Sequence, residues 1–313
     1  MAIRNGSPDR VQTALEAALE VAIGPRTPPR LAEALRYAVM GSGARLRPRL
    51  CYAVAAACGD ADAPGLDAVA AAIELLHCAS LVHDDLPAFD DADLRRGEPT
   101  VHRAYSEALA VLVGDALIAH AIGLGTSESI PAHMQPRIVR ELVACVGSVR
   151  GLVAGQAWES EPGTPLEEYH RLKTGALFEA AARLGAIVAG SADAEDWAKA
   201  GLLVGEAYQI ADDIRDAFTD DEDKPRDQDK LHDRPSALRS LGAREAMRRL
   251  YERIEAAREA VPGTAAALAF HRWIDTASAR LRMVDPSTRT PSAQPEPLPV
   301  VGPFPLAGTH AVA

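Results

Sequence analysis

Two aspartate-rich stretches each close a long, alanine-rich apolar segment, and this pairing narrows the possible folds more than any other feature of the chain. The first is His83-Asp84-Asp85-Leu86-Pro87-Ala88-Phe89-Asp90-Asp91, followed by Asp93-Leu94-Arg95-Arg96-Gly97. The second is Tyr208-Gln209-Ile210-Ala211-Asp212-Asp213-Ile214-Arg215-Asp216. The segments ahead of them read as buried helices: 48% of the chain is hydrophobic but only 4% is aromatic, so Ala, Leu and Val must fill the core. That mixture favours helices over sheets. Carboxylates at the ends of buried helices are costly unless they are paired or bound to metal. Hard oxygen donors suit Mg²⁺, which takes a few carboxylates plus substrate phosphate oxygens. The expectation is two carboxylate walls facing each other, clamping a diphosphate through Mg²⁺.

No period-two alternation lasts more than a few residues, and glycine sits mostly at expected helix ends. The pattern predicts an all-α bundle of roughly ten or more helices around a central cavity. Helices are expected over 30–39, 48–58, 65–85, 101–123, 136–149, 151–159, 165–190, 194–216, 243–260 and 264–283, after a first one that Ser7-Pro8 starts. Thr164-Pro165-Leu166-Glu167 reads as a capping box with Pro at the first helical position. One helical domain over 1–284 would precede a Pro-rich, disordered tail over 285–313. The net charge of −11 argues against nucleic-acid binding. Cys51, Cys58, Cys78 and Cys145 form no CxxC pair and read as buried thiols in a reducing compartment. The first residues lack a signal-peptide apolar region, and no apolar run reaches transmembrane length, so a cytoplasmic protein is expected.

Several residues stand out locally. Ala44-Arg45-Leu46-Arg47-Pro48-Arg49 follows Gly41-Ser42-Gly43 and carries three arginines in five residues. It is either a solvated basic turn or an anion site. On the first apolar helix His77, Ser80 and Asp84 share one face; on the second, Gln209, Asp212 and Asp216 do. Arg95-Arg96 can neutralise the aspartates or capture phosphate oxygens bidentately. Lys173 lies in an apolar segment, either snorkelling to solvent or pointing into a cavity. The polar loop 219–236 reads as a charged linker or as a lid that carries Lys224 onto a phosphate.

Taken in order, the motifs resemble those of trans-isoprenyl diphosphate (polyprenyl) synthases. They are Gly43–Pro48, Asp84–Asp90 with Leu94-Arg95-Arg96-Gly97, Gly155-Gln156, Lys173-Thr174, and Gln209 with Asp212–Asp216. The match spans about Arg30 to Pro235 and looks most like the bacterial, carotenoid-pathway geranylgeranyl diphosphate synthases. The resemblance implies catalysis by Asp84, Asp85, Asp90, Lys173, Asp212 and Asp213. It implies three Mg²⁺ per site on Asp84, Asp90 and Asp212, with Asp85, Asp213 and Asp216 as further ligands or orienters. Glu159 stands where the family often has aspartate. Arg95, Lys173, Thr174, Gln209 and Lys224 would hold an allylic diphosphate; Arg47, His77 and Arg96 would hold isopentenyl diphosphate. The family's lysine in the basic loop is Ala44 here, and Arg45, Arg47 or Arg49 is expected to compensate. The family's Phe before Gln is Tyr208. Cys78, Ala79 and Ser80 would floor the product cavity, and small Ala79 five positions before Asp84 points to a C20 rather than C15 product. A homodimer is implied. A terpene cyclase would carry more aromatics, and a silent partner subunit would lack one aspartate motif.

Overall fold

The computed structural model describes residues 9–161, 163, 165–218, 236–261 and 267–281. Helices dominate it: α1 (Arg10–Ala22), α2 (Pro29–Met40), α3 (Leu46–Ala57), α4 (Leu66–Asp84), α5 (Val101–Ala104), α6 (Glu107–Leu124), α7 (Gln135–Val146), α8 (Leu152–Trp158), α9 (Leu166–His170), α10 (Ala176–Val188), α11 (Ala194–Phe218), α12 (Ala237–Leu241), α13 (Ala243–Glu259) and α14 (Ala267–Leu281). Helix α4 is buried on nearly every face, from Leu66 to Asp84, which is why its sequence shows no polar stripe. It packs against α1, α3, α6 and α10, while α10 lies along α3 and α11. The two aspartate motifs thus sit at the ends of the long central helices α4 and α11, as expected.

The structure departs from the sequence reading at several points. A two-stranded antiparallel hairpin joins Leu94–Arg95 to Glu98–Pro99. Its two-residue turn is Arg96 (φ 56°) and Gly97 (φ 82°), the left-handed pair that a tight hairpin requires. The expected 101–123 helix is two helices, because Ser106 caps the second through Leu109 N. Helix α3 starts at Leu46 rather than Pro48, so Arg47 and Arg49 are helical, not loop, residues. The expected 165–190 helix contains a π-helical turn over Arg171–Gly175. The short α12 was not anticipated. The first helix is capped by Asp9, which accepts from Val11 N at 3.2 Å; Ser7, Thr164, Lys224 and the tail 285–313 lie outside the described residues.

By length and composition two helices, α4 and α6, could cross a membrane, although Asp67 and Glu74 interrupt the first apolar run and Asp115 the second. Helix α4 is enclosed by the bundle, whereas α6 keeps Val111 and Leu112 at 42% and 53% exposure.

Close helix seams depend on glycine. A Cβ at Gly185 of α10 would stand 2.5 Å from the Cys51 carbonyl oxygen on α3. Gly185→Ala should therefore destabilise by about 1–3 kcal/mol in chemical denaturation, the cost of overpacking a core. Gly123→Ala, in α6 where a Cβ meets nothing within 4 Å, should stabilise by up to about 1 kcal/mol.

Candidate active site

The first wall is built by the end of α4 and the loop that follows it. The chain reverses tightly there: Asp90 N donates to Asp84 O at 2.9 Å, and Ala92 N donates to Asp85 O at 3.2 Å. Asp84 is 8% exposed and its Oδ1 accepts from Gln156 Nε2 of α8 at 2.8 Å. Burial pushes its pKa up to about 6; Glu159 and Asp90 add to the rise and Lys173 opposes it. Asp85 differs. Its Oδ1 receives Arg95 Nε at 2.8 Å and Arg95 Nη2 at 2.6 Å. Burial still raises its pKa, against that neutralisation.

The second wall is wired by hydrogen bonds from α11. Gln209 Nε2 donates to Asp213 Oδ1 at 2.8 Å, and Ala237 N donates to Asp213 Oδ2 at 2.6 Å. His170 Nε2 lies 3.1 Å from the same Oδ2, at an angle outside hydrogen-bond geometry. Asp213 therefore spends its carboxylate on α11, α12 and α9. Asp212 is more open and pairs with Arg215 at 2.7 Å, both about one-third exposed. Nothing is described of the Asp216 side chain.

Lys173 and Thr174, consecutive on the π turn, reach opposite walls. Lys173 Nζ pairs with Glu159, whose Oε1 also accepts from Tyr169 Oη at 2.8 Å and which acts on Asp84. Thr174 Oγ1 donates to Gln209 Oε1, and so leads to Asp213. In a regular α-helix these neighbours would point about 100° apart; here they stand on a π turn, a local departure from that spacing frequent at functional sites.

A cavity of about 440 Å³ opens between α2, α4 and the hairpin, lined among others by Arg45, His77, Cys78, Asp85, Arg95 and Arg96. Of the three loop arginines, Arg45 is committed: it donates to Glu74 Oε1 at 2.7 Å, Val39 O at 2.6 Å and Gly41 O at 2.7 Å. Arg49 pairs with Asp9 at the surface. Arg47 is 8% exposed, its Nε has no acceptor, and burial lowers its pKa. Arg96 donates to Ser42 O and packs on Gly43, where a Cβ would stand 2.5 Å from Arg96 Nη1. His77 is held neutral by burial and by Arg47, Arg96, Arg95 and Arg45 around it. Cys78 borders the cavity with its thiol pushed up to about 12 by burial. Ala79 is fully buried in the core cluster and Ser80 donates to His77 O at 2.8 Å.

Sequence reading missed Glu74, Tyr169 and His170. Glu74 was findable: it is the one acidic residue within the apolar run Ala68–Val82, and a buried carboxylate needs a cation. The other two carried no pattern. Among the described residues no three acidic, histidine or cysteine side chains converge as a preformed metal centre. The donor chemistry nevertheless fits Mg²⁺: Asp84 is a buried carboxylate short of compensating charge, and hard oxygen donors lie on two walls that a ligand would have to bridge.

Residues 28–268 match the polyprenyl synthetase family, and the chain belongs to it. A geranylgeranyl diphosphate synthase of Cereibacter sphaeroides is 50% identical over 81% of this chain and 88% of its own length. One from Rhodobacter capsulatus is 46% identical over the same shares. Among solved structures, a geranyltransferase from Legionella pneumophila superposes with a TM-score of 0.74 at 30% identity, covering 88% of this chain and 95% of its own. A Helicobacter pylori geranyltransferase complexed with magnesium and isoprenyl diphosphate gives 0.73 at 26% identity, covering 88% and 100%.

The raised pKa of Asp84 links the site to stability. Its folded-state value, about 6, lies above the ordinary 3.8. The stability this group contributes is present below about pH 4 and is lost as pH rises through about 6, some 3 kcal/mol in all. Without metal, Asp84→Asn should raise the thermal midpoint by several degrees near pH 8 and leave it unchanged near pH 4, as scanning calorimetry in a chelator would read.

Proposed function

We propose that the chain is a geranylgeranyl diphosphate synthase, condensing isopentenyl diphosphate with an allylic diphosphate. The observation that carries this is the pair Lys173 and Thr174, tied to the first and second carboxylate walls respectively. A diphosphate between the walls would meet both. Asp84, Asp90 and Asp212 would hold Mg²⁺, three ions per site, with Asp85 and Asp213 as orienters because Arg95 and Ala237 already occupy their oxygens. Bound Mg²⁺ would supply positive charge to the leaving diphosphate.

The protein's own residues do the rest on this reading. Diphosphate arriving at Lys173 competes with Glu159, so the lysine exchanges a carboxylate for phosphate oxygens. Thr174 and Gln209 fix the second wall's orientation, and Lys224 would supply a further cation to the allylic diphosphate. Arg47, Arg96 and neutral His77 take the isopentenyl diphosphate; His77 acts as a donor through one ring N–H. Ala-rich helix walls exclude water and nucleophiles from the cationic carbon. The isopentenyl double bond attacks that carbon, and the proton then lost goes to released diphosphate rather than to a side chain. Small residues at Cys78, Ala79 and Ser80 leave room for a C20 chain.

The exposed apolar face of α6, with Val111 and Leu112, supports a homodimer in which a second copy covers it. The four unpaired thiols fit the cytoplasm.

Two measurements test these readings. With Mg²⁺ and dimethylallyl, geranyl or farnesyl diphosphate in turn, isopentenyl diphosphate should be consumed and geranylgeraniol recovered after dephosphorylation; Ala79→Tyr should shorten the product to C15. Failure to consume isopentenyl diphosphate would favour a cyclase or a silent subunit. In light scattering, Val111→Glu with Leu112→Glu should convert a dimer to a monomer, and an unchanged mass would sink the dimer face.

A further inference from the structure

A buried guanidinium with no anion is expensive, and something must hold Arg47 in place. Its neighbours on the loop and helix cannot share the task, since Arg45 is fixed to Glu74 and Arg49 to Asp9. Arg47 makes no hydrogen bond or ion pair among the described residues and leaves Nε unsatisfied. The electron-rich surface it meets is the ring of Phe178: Arg47 Cζ stands 4.7 Å from the ring centroid. A ring face attracts a guanidinium most strongly where water is excluded. Phe178 is 0% exposed, and its own position is fixed from two sides. The Tyr208 ring lies 5.5 Å behind it at 36°. Helix α11 closes on it through glycines, since a Cβ at Gly205 would stand 3.1 Å from Phe178 Cβ and 2.7 Å from Gly175 Cα.

We infer that Phe178 is a positioning residue for the homoallylic substrate, holding the Arg47 guanidinium over its ring in the orientation in which it takes the isopentenyl diphosphate. This rests on the reading of Arg47 as a ligand of that diphosphate. The clamp matters more here because Ala44 supplies no lysine, so fewer cations share the anion. An unclamped arginine would have to lose its rotamer freedom on binding, whereas a clamped one has already lost it. Through Phe178 the second-motif helix, by way of Tyr208, also reaches a residue of the other diphosphate site.

The test is steady-state kinetics on the full chain, with isopentenyl and geranyl diphosphates varied separately. Phe178→Leu keeps an apolar side chain but removes the ring. It should raise KM for isopentenyl diphosphate about tenfold, with KM for geranyl diphosphate unchanged and kcat within about twofold. Phe178→Tyr, which keeps the ring, should restore a near-native KM. Arg47→Met should raise the same KM by itself, and adding Phe178→Leu to it should do nothing further. If Phe178→Leu does not fold, Phe178→Met replaces it in the same cycle. Equal damage from Leu and Tyr, or an undiminished effect of Phe178→Leu in the Arg47→Met background, overturns the clamp while leaving Arg47 as a ligand. An unchanged KM in Arg47→Met overturns the ligand reading itself, and the clamp with it.

Discussion

Charge kept out of water without full compensation is the constraint on which this structure turns. Three carboxylates and two arginines illustrate it. Asp85, Asp213 and Arg45 are buried and fully engaged, with Arg95, with Gln209 and Ala237 N, and with Glu74. Their charges are spent on holding the hairpin, α12 and the basic loop in register. Asp84 and Arg47 are also buried, yet the Asp84 carboxylate receives only the neutral Gln156 amide and Arg47 keeps an unsatisfied Nε. Deficits of this kind cluster at functional sites, where a ligand of opposite sign can remove them. The division between scaffold and site thus follows from which buried charges are already matched.

That division bears on what the sequence could reveal. The two aspartate motifs, the helices that end in them and the all-helical architecture were legible, because Ala-rich apolar runs and clustered carboxylates are local patterns. Within DD pairs the roles were not. Asp84 and Asp85 are adjacent, but rotating by one residue turns one carboxylate onto Gln156 of α8 and the other onto Arg95, a difference set by a hairpin whose left-handed Arg96 no periodicity announces. The π turn was equally hidden. Its residues have ordinary helical composition, and the extra residue per turn appears only where α9 and α10 must be joined in space. Glu74 was overlooked for the opposite reason: it was visible, but its partner Arg45 is 29 residues away.

The split between the two halves of the site also has a physical origin. The cavity beside α2 and the hairpin is lined by Arg36, Arg45, Arg95, Arg96 and His77, among others, and also by Glu74, Asp85 and Glu98. The carboxylates Asp84 and Asp212, with Glu159 and Lys173, do not line that cavity. A net charge of −11 makes the local arginine cluster a contrast to its surroundings, although Glu74 and Asp85 already match Arg45 and Arg95. On our reading, the homoallylic diphosphate goes to the cation-lined side and needs no metal, while the allylic diphosphate goes between the carboxylates and does.

Ala44 sharpens the argument. A lysine at this exposed position would have offered a mobile ammonium on the rim of the basic loop. Both flanking arginines are engaged: moving Arg45 would strand Glu74 with an unmatched buried charge, a loss of about 3–5 kcal/mol, and Arg49 pairs with Asp9. The remaining cations are Arg47 and Arg96, and both are restrained, one by the Phe178 ring and the other by Ser42 O and the close approach to Gly43. A site with fewer but better-held cations gives up Coulomb attraction and recovers part of it in conformational entropy, because a restrained guanidinium loses little freedom when the anion arrives. In this chain the loss of a lysine and the rigidity of the arginines belong to one balance.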